Sequence, residues 1–173
     1  MSETVKRPAA KVIAICGKIC SGKTRYARRL KERENAVILS TDEMTYDLTG
    51  NEQGSAYDRL CVKVNAYLRK KAAEIARAGC PVILDWGFWT REGRRELTAF
   101  FRAEGIRVEW HWMDITAADW ERNILERNAR IEAGQGGSDF YMNEGLKKKL
   151  ESLWQEPGPE EIDIRVPFCR FDE

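Results

Sequence analysis

The chain has 173 residues, room for one domain with its own core, and its 29 lysines and arginines nearly cancel 28 acidic residues to leave a net charge of +1. That balance argues against a basic field of the kind that binds duplex nucleic acid without regard to sequence, and leaves only a local basic cleft open. Five cysteines without a C-x-x-C spacing, beside a single histidine, argue against structural zinc and read as reduced thiols of a cytoplasmic protein.

Residues 1–10 are polar and basic, lack the apolar region of a signal peptide, and read as a disordered lead-in to a single domain over 11–173. No segment has the length and apolarity of a membrane span. A first strand is predicted at Val12–Cys16, an apolar run of the type buried in a parallel sheet. Directly behind it stand Gly17, Lys18, Ile19, Cys20, Ser21, Gly22, Lys23 and Thr24, the pattern G-x-x-x-x-G-K-[ST]. Such a loop turns backbone N–H groups around the phosphates of a nucleoside triphosphate. Lys23 adds a point charge at the outer phosphates, and the Thr24 hydroxyl supplies a ligand to Mg²⁺. The helix predicted over 23–33 adds its positive dipole end at the same place. A plain strand-turn-helix would need the glycines but has no use for Lys-Thr after them. Cys20, inside the loop, is a candidate for oxidation sensitivity.

Further strands are predicted at 36–40, 81–85, 107–114 and, more weakly, 164–168, with helices at 57–78, 91–104, 117–132 and 144–154. Gly79 and Gly105 fall where helix C-termini need them, and Thr116 with Asp119 resembles a capping box. The alternation means βαβ units around a parallel sheet covered on both faces. Two stretches interrupt it. Residues 45–55 are polar and turn-rich, residues 133–138 are glycine-dense, and both read as mobile loops over a site.

Ligands of open parallel sheets bind beyond the carboxyl ends of the strands, so residues at those ends carry the argument. Asp85 ends the third strand and is a candidate for the Mg²⁺ shell or a cap of the next turn. Asp42 follows the second strand and is a candidate for orienting an acceptor hydroxyl and taking its proton, or for capping a short helix from Glu43. Asp114 ends the fourth strand, with a loop role equally open. Arg122, Arg127 and Arg130 run into the glycine-dense loop, as a lid closing over ATP requires; a solvated helix face is the alternative. Trp86 and Trp89, with Arg91, Arg94 and Arg95 a turn on, suggest an acceptor pocket. There Trp86 and Trp89 would stack on a ring and Arg91 or Arg95 would bind an anion, unless these are core aromatics and surface arginines. No N-K-x-D, H-R-D or D-F-G sequence occurs, which sets aside GTPases and protein kinases.

The phosphate loop, the Leu39-Ser40-Thr41-Asp42 and Leu84-Asp85-Trp86-Gly87 segments, Arg91, Arg95 and the run from Glu121-Arg122 to Arg127-Asn128 together resemble the small P-loop kinases grouped as AAA family ATPases or predicted kinases. Their relatives include polynucleotide 5′-kinase domains, chloramphenicol phosphotransferase and zeta-type toxin kinases. The resemblance extends from the first strand to about Trp154. It implies a nucleoside-kinase-like α/β fold: a P-loop NTPase three-layer αβα sandwich with a five-stranded parallel sheet, the third strand beside the first, and a mobile lid over about 122–140. It implies ATP–Mg²⁺ on Lys23 and Thr24, Asp42 as general base, and Arg122 and Arg127 in the lid. Polynucleotide kinases carry an arginine three residues after that base, where this chain has Thr45. The expected activity is transfer of the ATP γ-phosphate to a hydroxyl of a small-molecule acceptor. The alternatives are a 5′-hydroxyl polynucleotide kinase and an ATP-binding switch acting through a partner.

Overall fold

The computed structural model describes residues 9–50, 55–137 and 139–169. Five strands, β1 (Val12–Cys16), β2 (Val37–Ser40), β3 (Val82–Asp85), β4 (Val108–Asp114) and β5 (Ile164–Pro167), form one parallel sheet in the order β2-β3-β1-β4-β5. The helices are α1 (Lys23–Glu34), α2 (Thr41–Thr49), α3 (Ser55–Arg77), α4 (Arg91–Ala103), α5 (Ala117–Glu132) and α6 (Glu144–Leu153). The third strand lies beside the first as the resemblance implies, with Val12 opposite Val82 and Ala14 opposite Leu84.

β1 is apolar throughout because it is covered on both faces, and all five residues are fully buried. Its side chains alternate between two cores. Val12, Ala14 and Cys16 join Val82 and Leu84 against Leu68, Ala72 and Ala76 of α3 and Leu97 and Phe101 of α4. Ile13 and Ile15 join Ile83 and Met113 against Ala27 and Leu30 of α1. A third cluster, Trp120, Ile124 and Met142 with Ile19 and Cys20, seats α5 on the phosphate loop.

A polar chain also ties α1 to the sheet. His111 on β4 is fully buried, with Nδ1 2.8 Å from the Tyr26 hydroxyl and Nε2 2.9 Å from Glu109. Burial pushes the imidazole's pKa down while Glu109 opposes, so the ring is neutral. With Glu109 ionised, Nε2–H donates to it and Nδ1 accepts from Tyr26. Lys11 joins Glu109 at 3.1 Å and Glu34 at 3.2 Å.

The predicted mobile loop at 45–55 is in part α2, and its residues 51–54 lie outside the described ones. Thr and Asp are mediocre helix formers, but tertiary contacts override propensity here. Ser40 caps the helix by accepting from the Glu43 N–H, Thr45 is buried and donates to the Thr41 carbonyl at 2.9 Å, and the Thr41 hydroxyl donates to Asn65 of α3 at 2.5 Å. Of the 1–10 lead-in only Ala9 and Ala10 are described, and the Ala10 N–H donates to the Ala76 carbonyl at 2.8 Å.

Candidate active site

The loop between β1 and α1 is built to receive an anion. Gly22 stands at the N-cap of α1 with a φ of +86° that disfavours any other residue, and the helix has no side chain capping its first N–H groups and no acid in its first turn. Those donors are left for a ligand. A Cβ on Gly17 would lie 2.7 Å from Ser21 Oγ and 2.9 Å from the Met113 carbonyl, so only glycine lets the loop close there. Ser21 Oγ is buried without a hydrogen-bond partner among the described residues. The Lys23 ammonium donates to the Gly17 and Lys18 carbonyls at 3.0 and 2.8 Å. Desolvation pushes its pKa down, and the charges of Asp85 and Asp42 oppose that. Free amides, an orphan hydroxyl and a partly desolvated cation together fit a phosphate group.

Two predicted carboxylates lie within electrostatic reach of Lys23. Ser40 pairs with Asp85 in register, so Asp85 and Asp42 stand at neighbouring strand ends. Asp85 is buried. Asp42 opens to solvent on one side, yet the protein around it and then the negative charge of Asp85 raise its pKa, against Lys23 and Arg127. Because Ser40 takes the cap of α2, the Asp42 carboxylate is not spent on capping. Asp114 has a structural job: Arg165 donates to it through Nε at 2.9 Å and Nη2 at 2.5 Å.

Of the three predicted lid arginines, two converge. Arg127 binds Asp139 at 2.7 Å and Arg130 binds the other oxygen of Asp139 at 3.4 Å. Arg127 also bears electrostatically on Lys23, Asp42 and Cys20. Arg122 is exposed and pairs with Asp119 at 3.6 Å. Five residues on from Asn123, Asn128 clamps the returning chain: its Nδ2 donates to the Met142 carbonyl at 2.9 Å and its Oδ1 accepts the Met142 N–H at 2.8 Å. Trp120 and Asn123 donate to the Ile19 and Cys20 carbonyls at 2.7 and 2.8 Å. Sequence reasoning gave no role to Trp120, Asn123, Asn128 or Asp139. Two asparagines inside a helix, where their propensity is poor, were the available signal.

The predicted acceptor pocket is largely rearranged. Trp86 is a core residue, not a stacking surface: it is 6% exposed, packs on Phe88 at 5.6 Å and donates its Nε1–H to the Leu39 carbonyl at 3.0 Å. Arg91 is committed to Glu161 at 2.9 Å. Arg94, 2% exposed, binds the other Glu161 oxygen at 2.7 Å and the Phe88 carbonyl at 3.2 Å. Arg95 is exposed. The aromatic that does reach the loop is Trp89, which lines a niche of about 10 Å³, room for one water, with Trp120, Trp154, Lys18 and Ile19. On the Asp42 side, Tyr57 packs edge-on against Phe140 at 5.9 Å. Phe168, just after β5, lies against Gly22. Burial pushes the Cys20 thiol up, against the charges of Arg127 and Lys23, which works against the thiolate form that oxidation needs.

The strand order and the glycine-lysine loop give this chain the α/β P-loop NTPase fold. The family model described as AAA domain matches residues 12–138, and the chain belongs to that family. No curated protein matches it. Among solved structures it is similar to Mycobacterium tuberculosis APS kinase CysC in complex with AMPPNP and APS, at 21% identity over 95% of this chain and 92% of that one, TM-score 0.69. It is similar to Chaetomium thermophilum Kti12 in complex with ADP-AlF3, at 16% identity over 94% and 90%, TM-score 0.66. A gluconokinase from Sinorhizobium meliloti 1021 matches at 13% identity over 95% and 86%, TM-score 0.63. No helix among the described residues is long and apolar enough to cross a membrane.

Proposed function

We propose that the protein is an ATP-dependent phosphotransferase that moves the γ-phosphoryl group to a hydroxyl of a small molecule, with Asp42 as general base. The observation that carries this reading is the place of the Asp42 carboxylate: it follows the end of β2 next to the strand that ends in Asp85, is free of capping duty because Ser40 caps α2, and lies within the electrostatic reach of Lys23 and Arg127. A carboxylate made more basic by its surroundings is a better proton acceptor at neutral pH. The acceptor oxygen attacks the γ-phosphorus, the bond to the ADP oxygen breaks, and the acceptor's proton passes to Asp42.

Gly17 through Thr24 cradle the phosphates, Lys23 balances charge on the outer ones, and Arg127, with Arg130 beside it, meets charge on the transferring oxygens once released from Asp139. Thr24 and Asp85 are the residues that would hold Mg²⁺, which would supply positive charge against that of the phosphates. Among the described residues no three His, Cys, Asp or Glu cluster to hold a metal by themselves, which suits an ion bound chiefly through substrate and water. The APS kinase and Kti12 structures, each containing a nucleotide, support ATP as the donor. The 5′-hydroxyl polynucleotide alternative draws little from the site, because Thr45 is buried and bonded to its own helix and offers no cation.

The test is ADP release from ATP and Mg²⁺ with nucleosides, sugars, antibiotics and 5′-hydroxyl oligonucleotides as acceptors, run with wild type and Asp42→Asn. Acceptor-stimulated release by wild type, lost in Asp42→Asn while ATP binding persists, is the expected result. Near wild-type transfer by Asp42→Asn removes Asp42 as the base.

A further inference from the structure

Trp120 and Asn123, three residues apart on α5, grip the phosphate loop from outside, and we propose that they are positioning residues that aim the loop's amides at the phosphates. This rests on the donor reading above. Trp120 Nε1–H donates to the Ile19 carbonyl at 2.7 Å, and Asn123 Nδ2–H donates to the Cys20 carbonyl at 2.8 Å. In a trans peptide the carbonyl and the following N–H point in opposite directions. Drawing these two carbonyls out onto α5 therefore turns the Cys20 and Ser21 N–H groups toward the inside of the loop. The Ser21 N–H rests there on the Lys18 carbonyl at 3.2 Å, a long bond that a charged acceptor outcompetes.

The grip also explains the backbone of Cys20. Its φ of +60° is a left-handed conformation that a residue with a Cβ adopts only at a cost, and the Asn123 bond holds it at that residue's own carbonyl. Trp120 is 3% exposed, packed with Ile124 and Met142, so the donor sits on a fixed element. Its ring carries the Lys18 ammonium at 4.7 Å, a second tie from the loop. Positions 120, 123 and 127 fall on one helix face. The face that sets the loop's shape is thus the face that carries Arg127, and a displacement of α5 moves both together.

The experiment measures pyrophosphate and ATP binding by competition with a fluorescent ATP analogue, alongside thermal melting, for wild type, Trp120→Phe, Asn123→Ala, Asn123→Asp and the exposed control Leu125→Ala. Trp120→Phe keeps an aromatic ring in the cluster while removing the donor, and Asn123→Ala, which leaves that cluster whole, guards against a variant that fails to fold. Each single loss should weaken pyrophosphate and ATP by the same factor, about fivefold for one neutral hydrogen bond. Asn123→Asp, which sets an oxygen against the Cys20 carbonyl, should weaken both further, and Leu125→Ala should change neither. A role confined to packing would lower the melting temperature and leave pyrophosphate affinity alone, and that result overturns the proposal. If wild type binds neither probe, the donor reading itself fails; if it binds both and the variants match Leu125→Ala, the donor reading stands and the positioning role falls.

Discussion

Replacing Glu161 with glutamine tests the ion cluster that took over the predicted acceptor arginines. Arg94 is 2% exposed, and its Nη2 has no partner among the described residues, so the guanidinium depends on Glu161 at 2.7 Å and the Phe88 carbonyl at 3.2 Å. Glutamine keeps one oxygen as an acceptor but removes the compensating charge. Breaking a buried pair from one side costs about 3–5 kcal/mol, and the retained acceptor places this variant near the lower end, about 3 kcal/mol. For a domain of this size about 2–4 °C is lost per kcal/mol, so Tm should fall by about 6–12 °C. Arg91 shares the same carboxylate, yet its side chain is 45% exposed, and Arg91→Ala should cost no more than about 1 kcal/mol.

Urea and thermal unfolding followed by tryptophan fluorescence give both numbers. The double variant Arg94→Met/Glu161→Leu should recover most of the loss, since it removes the buried charge together with its partner. Acid supplies a further check. Burial works to raise the Glu161 pKa, but the Arg94 hydrogen bond and charge, with Gly158 and Arg91, hold it below the ordinary value. A depressed carboxylate stabilises the fold above its unfolded pKa and loses that contribution as pH falls through the folded one. The gap between wild type and Glu161→Gln should therefore narrow on acidification. A Glu161→Gln protein no less stable than Arg91→Ala would refute the assignment of Arg94 as a buried, carboxylate-dependent charge.

Asp42→Asn should lower kcat by about 10²–10⁴-fold, the range for a lost general base, with ATP affinity retained. Because the Asp42 pKa is raised, the acid limb of wild-type kcat/KM should lie above the ordinary aspartate range, and Asp42→Asn should be the more stable protein at neutral pH, an advantage that disappears as pH falls through the folded pKa. An acid limb at the ordinary value, or a destabilised variant at neutral pH, contradicts this. Tyr26→Phe leaves a buried imidazole acceptor unpaired and should cost about 1–3 kcal/mol in a denaturant titration without changing ATP affinity. Asp139→Asn removes the competitor for Arg127 and Arg130 and should tighten ATP binding by about fivefold, the worth of a partly exposed pair of about 1 kcal/mol; weaker binding would mean that Asp139 orients those arginines for the nucleotide instead.

The sheet and the phosphate loop were legible in the sequence because their signals are local. An apolar run, a glycine spacing and a helix start are each written within a dozen residues. The failures share one cause: the deciding partner is distant in the chain. Trp86 became core because the Leu39 carbonyl, 47 positions earlier, accepts its indole N–H. Arg91 and Arg94 were consumed by Glu161, 67 positions beyond Arg94, in a segment with no motif of its own. Ile19 and Cys20 are held by α5 residues more than 100 positions away. Residue type and spacing state what a side chain can do; burial and pairing decide whether it is free to do it.

Applied to the charges of the site, that distinction separates two kinds of arginine. Arg94 is locked, because leaving Glu161 would strand a buried guanidinium and a carboxylate together. On the proposed reading Arg127 and Arg130 are stored, because both share Asp139, whose side chain is 29% exposed, with Arg130 itself 55% and Arg127 19% exposed. Trading Asp139 for phosphate oxygens replaces one anion by another at an open site, so the exchange costs little charge separation, and Asp139 keeps a cation if only Arg127 leaves. The same trade is closed to Arg94, and Arg91 can make it only by leaving the carboxylate that both arginines share. An anionic group on the acceptor would thus have Arg95, exposed on the same helix, as its arginine from that segment, whereas an uncharged acceptor could rest on Trp89 with no ion pair broken.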